Sequence, residues 1–210
     1  MGKLLLYRPV HAALLSCLVV WCCLLQGCLV PDKYYATLSL SNHAYSYDYV
    51  GDIHMAAAYS DTYLRQVDND PQKLADRVLK EFVRVIRERQ QSSVKVALLS
   101  PTTFKTQFLY VSSYAMPEAT GMFTFSIAGD TLTVVSRPLS TSDREFLRLN
   151  DISSQGTLCI KAFGTVIESN AHKAATMLNR CNEWNLTDLE SPIRMVIKYP
   201  QPIEQPAPKE

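Results

Sequence analysis

The stretch "ATLSLSNHAYSYDYV", residues 36–50, predicts a β-hairpin and with it a sheet-based fold. Apolar and aromatic side chains occupy every second position in each half of the stretch, namely Leu38 and Leu40 in the first half and Tyr45, Tyr47 and Tyr49 in the second. The polar residues 41–43 separate the two halves. Alternation on either side of a short polar turn is typical of two half-buried antiparallel strands.

Further strands are expected along most of the chain that follows. The segments with strand-like composition are "VKVALL" (94–99), "FKTQFLYVSSYA" (104–115), "MFTFSI" (122–127), "TLTVVS" (131–136), "GTLCIKAF" (156–163), "TVIESN" (165–170), "TMLNRCNEWNL" (176–186) and "IRMVIKY" (193–199). Gly129 lies in the short break at 128–130, which predicts a second hairpin. Because the connections are short, an antiparallel meander is expected.

Three segments have helical features. An Ala-rich stretch at 52–66 predicts a short helix capped by Asp52, and a longer amphipathic pattern at 70–91 starts with Asp70 as N-cap. Residues 142–145, "SDRE", match a capping box that opens a helix ending at Leu149. The predicted fold class is therefore α+β, with an antiparallel β-meander sheet and two or three helices packed on one face.

The N-terminus has the organisation of an export signal. A short basic region containing Lys3 and Arg8 precedes a 14-residue apolar core at 12–25, and "LQGC" follows. That core fits the roughly 7–15 residues of a secretory signal better than the roughly 20 of a spanning helix. "LQGC" resembles the lipobox of bacterial lipoproteins, and the resemblance implies cleavage between Gly27 and Cys28 and lipidation of Cys28.

This interpretation sets the expected organisation of the chain. Residues 1–27 form a removed signal peptide, 28–200 a single α+β domain anchored at Cys28, and 201–210 a Pro-rich disordered tail. A retained signal anchor, palmitoylated on Cys22 and Cys23, is the alternative. Leu29 follows the cysteine where Asp is the familiar inner-membrane retention signal. That resemblance favours the outer membrane, with the domain facing the periplasm.

Export also bears on the remaining cysteines and on charge. Cys159 and Cys181 lie 22 residues apart in or beside neighbouring strand segments, which predicts a disulfide; buried free thiols are the alternative. Removing residues 1–27 takes away Lys3 and Arg8 and leaves 19 basic residues against 20 acidic ones, a net charge of −1. Nucleic acid is therefore not an expected partner.

No motif predicts catalysis, a cofactor or a metal. The sequence contains no G-x-S-x-G elbow, no glycine-rich phosphate loop and no paired histidines on a helix. Asp52 and His54 are expected to cap and flank a helix rather than to act as an acid–base pair. Tyr45, Tyr47 and Tyr49 are a candidate binding surface, and their alternative role is to cover the helix layer.

The C-terminal half resembles an uncharacterised group of bacterial envelope lipoproteins. The resemblance lies in a strand after a glycine, an Asn-Ala pair, a Trp-x-Leu strand and a last strand rich in β-branched residues, here Gly156, Asn170, Ala171, Trp184, Leu186 and 195–197. It implies a location and a fold but no activity. The expected function is a membrane-anchored noncatalytic lipoprotein, a binding, scaffold or assembly subunit with another envelope protein as a partner; a periplasm-facing hydrolase is the alternative.

Overall fold

A computed structural model describes residues 29–55, 70, 72–73, 76–77, 79–80, 94–100, 102–114, 122–188 and 190–203. The strands with described bounds are β1 (Leu29–Leu40), β2 (Tyr45–Met55), β3 (Val94–Ser100), β4 (Thr103–Ser112), β5 (Phe123–Ala128), β6 (Thr131–Ser136), β7 (Gly156–Ala162), β8 (Thr165–Ser169), β9 (Asn182–Leu186) and β10 (Arg194–Lys198). One helix with described bounds, α1 (Thr141–Leu149), lies between β6 and β7.

The hairpin predicted at residues 36–50 is confirmed. β1 and β2 pair antiparallel with Leu40 opposite Tyr45. The turn between them is closed because the Ser41 backbone N–H and hydroxyl both donate to the carbonyl of Ala44, at 3.0 and 2.8 Å. Local sequence therefore sets this register, since the turn residues and the alternation agree.

The sheet that contains this hairpin is not a simple meander. Six strands lie in the order β3-β4-β2-β1-β7-β9. β1 and β7 are parallel, with Tyr34 opposite Gly156, whereas the other pairs in this sheet are antiparallel. The expected antiparallel meander is thus wrong at its centre, because a strand more than a hundred residues downstream pairs with β1.

A second sheet contains the remaining four strands, in the order β5-β6-β10-β8. Its β5–β6 hairpin confirms the prediction at 122–136: Ala128 pairs with Thr131 around Gly129 and Asp130. Gly129 has φ +62°, a conformation that glycine adopts without the penalty that a Cβ brings.

The two sheets pack together, and their facing sides form one hydrophobic core. The core includes alternate residues of both sheets, among them Ala36, Leu38, Tyr47, Phe108, Leu132, Val134, Leu158, Ile160, Trp184, Met195 and Ile197. The predicted α+β class, with two or three helices covering one sheet, is therefore wrong: the described fold is mostly β. A half-buried strand needs an apolar cover, and here the cover is a second sheet.

The predicted helices have three different outcomes. β2 continues to Met55, so Asp52 does not cap a helix; residues 56–66 lie outside the described residues. Asp70 accepts hydrogen bonds from the backbone of Gln72 and Lys73, as an N-cap does, while most of 71–91 is not described.

The third predicted helix exists with a shifted start. α1 ends at Leu149 as expected, but its N-cap is Ser140, whose side chain accepts from the backbone of Asp143. The Asp143 carboxylate accepts from the Ser140 backbone N–H in return. The capping box therefore begins at Ser140 rather than Ser142, since a carboxylate at the third helical position completes it.

The described chain continues past residue 200. Ile203, expected in the tail, is buried in the core, and its backbone N–H donates to the carbonyl of Gly129. Residues 204–210 and residues 1–28, including the signal sequence and Cys28, lie outside the described residues. Within the described part, no helix is both long and apolar enough to span a membrane.

Candidate functional site

Four strands bring polar residues together at the end of the six-stranded sheet where β1 begins. Val30 pairs with His54, and His54 pairs with Thr103 at the start of β4. Ser100, at the end of β3, pairs with the same threonine. We call this end of the molecule, formed by residues 29–33, 52–55, 98–100, 102–103 and 153–155, the Leu29 end.

At the Leu29 end, a carboxylate, an imidazole and a hydroxyl are connected in series at hydrogen-bond distances. Asp32 Oδ2 lies 3.3 Å from His54 Nε2, and His54 Nδ1 lies 3.2 Å from Thr103 Oγ1. Asp32 is 6% exposed. In the tautomer protonated on Nε2, His54 donates to Asp32 and accepts the Thr103 hydroxyl proton at Nδ1.

The loop before β7 holds Asp32 from its other side. The backbone N–H of Gln155 and the hydroxyl of Ser153 donate to Asp32 Oδ1 at 3.1 and 3.4 Å. The hydroxyl of Ser154 donates to the carbonyl of Pro31. Ser154 and Lys33 have φ values of +56° and +46°, which cost L residues on the order of 1 kcal/mol each. The surrounding contacts therefore hold a locally unfavourable backbone around this carboxylate.

Chemically, this arrangement has the order of an acid–base relay. A buried carboxylate that orients an imidazole, which in turn accepts from a hydroxyl, is the pattern that activates nucleophiles in hydrolases. The same hydrogen bonds also fasten β1, β2, β4 and the loop before β7 to each other. The carboxylate that lies against the His54 imidazole belongs to Asp32 of the neighbouring strand β1.

The three tyrosines proposed as a binding surface lie in the core instead. Tyr45, Tyr47 and Tyr49 are at most 1% exposed. Their rings contact other aromatic rings, including Phe108, which stacks on Tyr49 at 5.2 Å. These alternate side chains belong to the core between the two sheets. They therefore do not form an exposed binding surface.

Burial also changes the acidity of the tyrosines. It raises the pKa of Tyr49 well above its usual range, and the Tyr49 hydroxyl donates to the carbonyl of Asp52 at 2.7 Å. Burial, assisted by the Asp32 carboxylate, also raises the pKa of Tyr34. These phenols are therefore neutral at physiological pH and contribute packing rather than charge.

A fully exposed apolar pair stands at the other end of the molecule. Met177 and Leu178, between β8 and β9, each have a relative exposure of 101%. The flanking Thr176 and Asn179 close a turn beneath them, since the Thr176 N–H donates to the Asn179 carbonyl and the Asn179 N–H donates to Thr176 Oγ1. We call residues 176–179 the apolar turn. The strand predicted at 176–186 is wrong for these four residues, since β9 begins at Asn182.

The predicted disulfide is confirmed, and it tethers this turn to the sheet. Cys159 of β7 and Cys181 are bonded, with a Cα–Cα distance of 5.4 Å that suits a disulfide. The Cys181 N–H also donates to Asn179 Oδ1 at 3.2 Å. The disulfide and this hydrogen bond therefore fix the C-terminal side of the apolar turn to the sheet.

One asparagine of the resemblance pattern joins the two sheets. Asn170 Oδ1 accepts from the indole Nε1 of Trp184 at 2.9 Å and from the backbone N–H of Arg194 at 2.8 Å, and its Nδ2 donates to the carbonyl of Pro192 at 2.9 Å. Trp184 lies in β9 and Arg194 in β10, so a single amide bridges two sheets. Gly156 is restricted by space, because a Cβ there would lie 2.5 Å from the Tyr34 ring.

Among the described residues, there is no group of three or more His, Cys, Asp or Glu side chains arranged to hold a metal ion. No family model matches the chain, and no curated protein matches its sequence. Among solved structures, it is similar to the NMR structure of the folded domain of Mycobacterium tuberculosis LppM, with 11% identity and a TM-score of 0.44 over 81% of this chain and 92% of that one. A likeness at this level supports no conclusion about what this chain does.

Proposed function

We propose that the chain is a noncatalytic lipoprotein of the bacterial cell envelope, anchored by lipid at Cys28 and acting as a binding or assembly subunit. The observation that carries this proposal is that β1 already includes Leu29, the residue that follows the lipobox cysteine. Cleavage before Cys28 would remove the hydrophobic signal and leave β1 whole. A hydrophobic signal that can be removed without the loss of any described part of the sheet is what a cleaved lipoprotein needs.

The physics of the anchor supports stable membrane attachment. A mature lipobox cysteine has three acyl chains, and each buried methylene contributes about 0.8 kcal/mol, whereas a single chain binds only reversibly. The Cys159–Cys181 bond fits an oxidising compartment outside the cytoplasm. Leu29 after the cysteine favours the outer membrane, with the sheets facing the periplasm.

Replacing the anchor residue tests the first half of the proposal. Cys28→Ser should abolish fatty-acid labelling and release the protein from membranes after fractionation. Cys23→Ser is the matched control, because that cysteine lies in the discarded signal and its loss should change neither result. Unchanged membrane association of Cys28→Ser would favour a retained signal anchor instead.

The apolar turn supports the binding half of the proposal. Two adjacent, fully exposed large apolar residues on a tethered turn resemble the anchor residues that fill pockets at protein interfaces. Arg180 follows the turn and is exposed, so a partner pocket with an acidic rim would complement it. We propose that this turn inserts into an apolar pocket of another envelope protein.

Site-specific photo-crosslinking in intact cells tests that contact. A photoreactive residue at Met177 should give a discrete adduct that disappears when Leu178→Asp is added, since a carboxylate opposes insertion into an apolar pocket. The same probe at Ile167, an exposed position on β8, is the matched control. Equal adducts at both positions, unaffected by Leu178→Asp, would contradict a specific partner contact.

The polar network at the Leu29 end favours a second candidate function, a periplasm-facing hydrolase. Thr103 would be the nucleophile, His54 the base and Asp32 the group that orients the base, given their distances of 3.2 and 3.3 Å. Its hydroxyl lies within 3.5 Å of Thr102 Oγ1 as well. We favour the noncatalytic role because the same contacts already serve to fasten three strands and a loop.

Covalent labelling separates the two candidates. The noncatalytic proposal predicts that a fluorophosphonate probe leaves Thr103 unmodified in the purified protein and that ester substrates are hydrolysed no faster than in buffer. An adduct on Thr103 that is lost in His54→Gln but kept in Thr102→Val would establish the hydrolase instead.

A further inference from the structure

Under the proposed lipidation of Cys28, on which this inference rests, the lipid anchor and the folded sheet are adjacent in the chain. β1 already includes Leu29, so no linker separates the lipidated residue from the first strand. Consecutive Cα atoms lie about 3.8 Å apart. The Leu29 end must therefore lie at the membrane interface whenever the acyl chains are in the bilayer.

Strand register places two exposed leucines at this same end. Leu98 pairs with Phe104, which pairs with Ile53, which in turn pairs with Pro31. Leu98 thus lies level with the third residue after Cys28. Its neighbour Leu99 falls in the irregular step before Ser100, which is level with Val30 through Thr103 and His54.

These leucines are displaced from β1 across the sheet, perpendicular to the strands, and not along the strand direction. In the order β3-β4-β2-β1, β3 lies three strand spacings from β1, about 14 Å in total. Leu98 is 38% exposed and Leu99 is 55% exposed. A membrane plane that meets β1 at Leu29 therefore also meets the end of β3 when the strands stand steeply on the bilayer.

We propose that the Leu29 end docks on the bilayer that carries the anchor, with Leu98 and Leu99 entering the headgroup region. The acyl chains supply the affinity, and the leucines restrict the orientation of the domain. Apolar residues at an interface bury their side chains among the lipids at a depth of about 5–10 Å.

This orientation holds the apolar turn away from the membrane. Asn182, just after the turn, pairs with Ile160, which pairs with Leu38. Leu38 lies seven residues beyond Pro31, a rise of about 23 Å along β1. The membrane contact and the exposed Met177 and Leu178 pair thus lie at opposite ends of the sheet, so the domain would present this pair toward the periplasm.

Fluorescence of the lipidated full-length protein in vesicles tests the proposal. An environment-sensitive dye is attached to Leu99→Cys or, as the matched control, to Met177→Cys, in vesicles of phosphatidylethanolamine and phosphatidylglycerol. We expect the dye at position 99 to shift to shorter wavelength and to lose intensity when the vesicles contain a lipid with a quencher near its headgroup. The dye at 177 should show neither change.

A charge substitution makes the test independent of the dye. Leu98→Asp in the Leu99→Cys background should reduce the quenching at 99 while the protein still floats with the vesicles. Floating protein with no quenching at 99, or with quenching at 177 instead, would overturn the docked orientation and leave the anchor intact. Protein that does not float with vesicles would show that the lipid anchor itself is wrong.

Discussion

Asn170→Ala should destabilise the domain although Asn170 itself is exposed. The side chain makes three hydrogen bonds, to Trp184, Arg194 and Pro192, and each is worth about 1 kcal/mol net. Water can replace the amide at the exposed Arg194 and Pro192 groups. The indole N–H of Trp184, a residue that is 0% exposed, is harder to satisfy. We expect a loss of about 2–3 kcal/mol in the free energy of unfolding.

Urea unfolding followed by tryptophan fluorescence measures this loss directly. Trp184 is the only tryptophan outside residues 1–27, so a chain that begins at Cys28 has a single reporter. At about 2–4 °C per kcal/mol, the melting temperature should fall by about 4–12 °C. Asn170→Asp keeps an acceptor for the indole and should lose less.

Two comparisons test whether the loss of stability comes from the hydrogen bond between Asn170 and Trp184. Asn185→Ala removes an exposed amide from β9 next to Trp184 and should stay within about 0.5 kcal/mol of the parent protein. In a double-mutant cycle, Trp184→Phe and Asn170→Ala should be coupled by about 1 kcal/mol or more. If Asn170→Ala is as stable as Asn185→Ala, or if the cycle shows no coupling, the amide bridge between the sheets does not contribute as argued.

Three further changes follow from the same structure. Cys159→Ser with Cys181→Ser should cost about 3 kcal/mol by the chain-entropy model for a loop of this length, measured by urea unfolding against parent protein under oxidising conditions; no difference would contradict a stabilising bond. Gly156→Ala should lower the melting temperature, because its Cβ meets the Tyr34 ring at 2.5 Å, whereas an unchanged melting temperature would mean that the ring moves freely. Burial raises the pKa of Tyr199 from 10 to about 12, so its contribution to stability is complete below pH 10 and decreases between pH 10 and about 12. Circular dichroism melts across that range should show alkaline destabilisation at about 1.4 kcal/mol per pH unit for each such tyrosine; a flat profile would contradict it.

Local patterns in the sequence predicted the hairpins well. The alternation at 36–50 and the glycine at 129 fix both strand pairing and turn within about fifteen residues, so no distant contact is needed. The same alternation does not identify what covers the buried face. A helix layer and a second sheet both need an apolar stripe, and for that reason the predicted helix layer was wrong.

No local pattern in the sequence predicts the contacts between residues that are distant in the chain. Asp32 and His54 are 22 residues apart and His54 and Thr103 are 49 apart, and only the register of β1, β2 and β4 brings them together. The Ala-rich stretch after Asp52 favoured a helix and concealed the strand that carries His54. The parallel pairing of β1 with β7 likewise depends on tertiary packing that no short pattern encodes.

The resemblance pattern predicted important positions without their roles. Asn170 and Trp184 turn out to be hydrogen-bonded partners, and Gly156 provides space for the Tyr34 ring. The exposed Met177 and Leu178 pair was missed because its residues were assigned to a strand. The adjoining Asn179 and Cys181 are the local signal that could have indicated a tethered turn.

The proposal that this chain is anchored by lipid at its first mature residue is tested most directly by the mass of the N-terminal peptide from membrane-purified protein. Lipidation at Cys28 predicts a peptide that begins at Cys28 and has the added mass of a diacylglyceryl group and an N-acyl chain. A peptide that still contains residues from 1–27, or an unmodified Cys28, would contradict it.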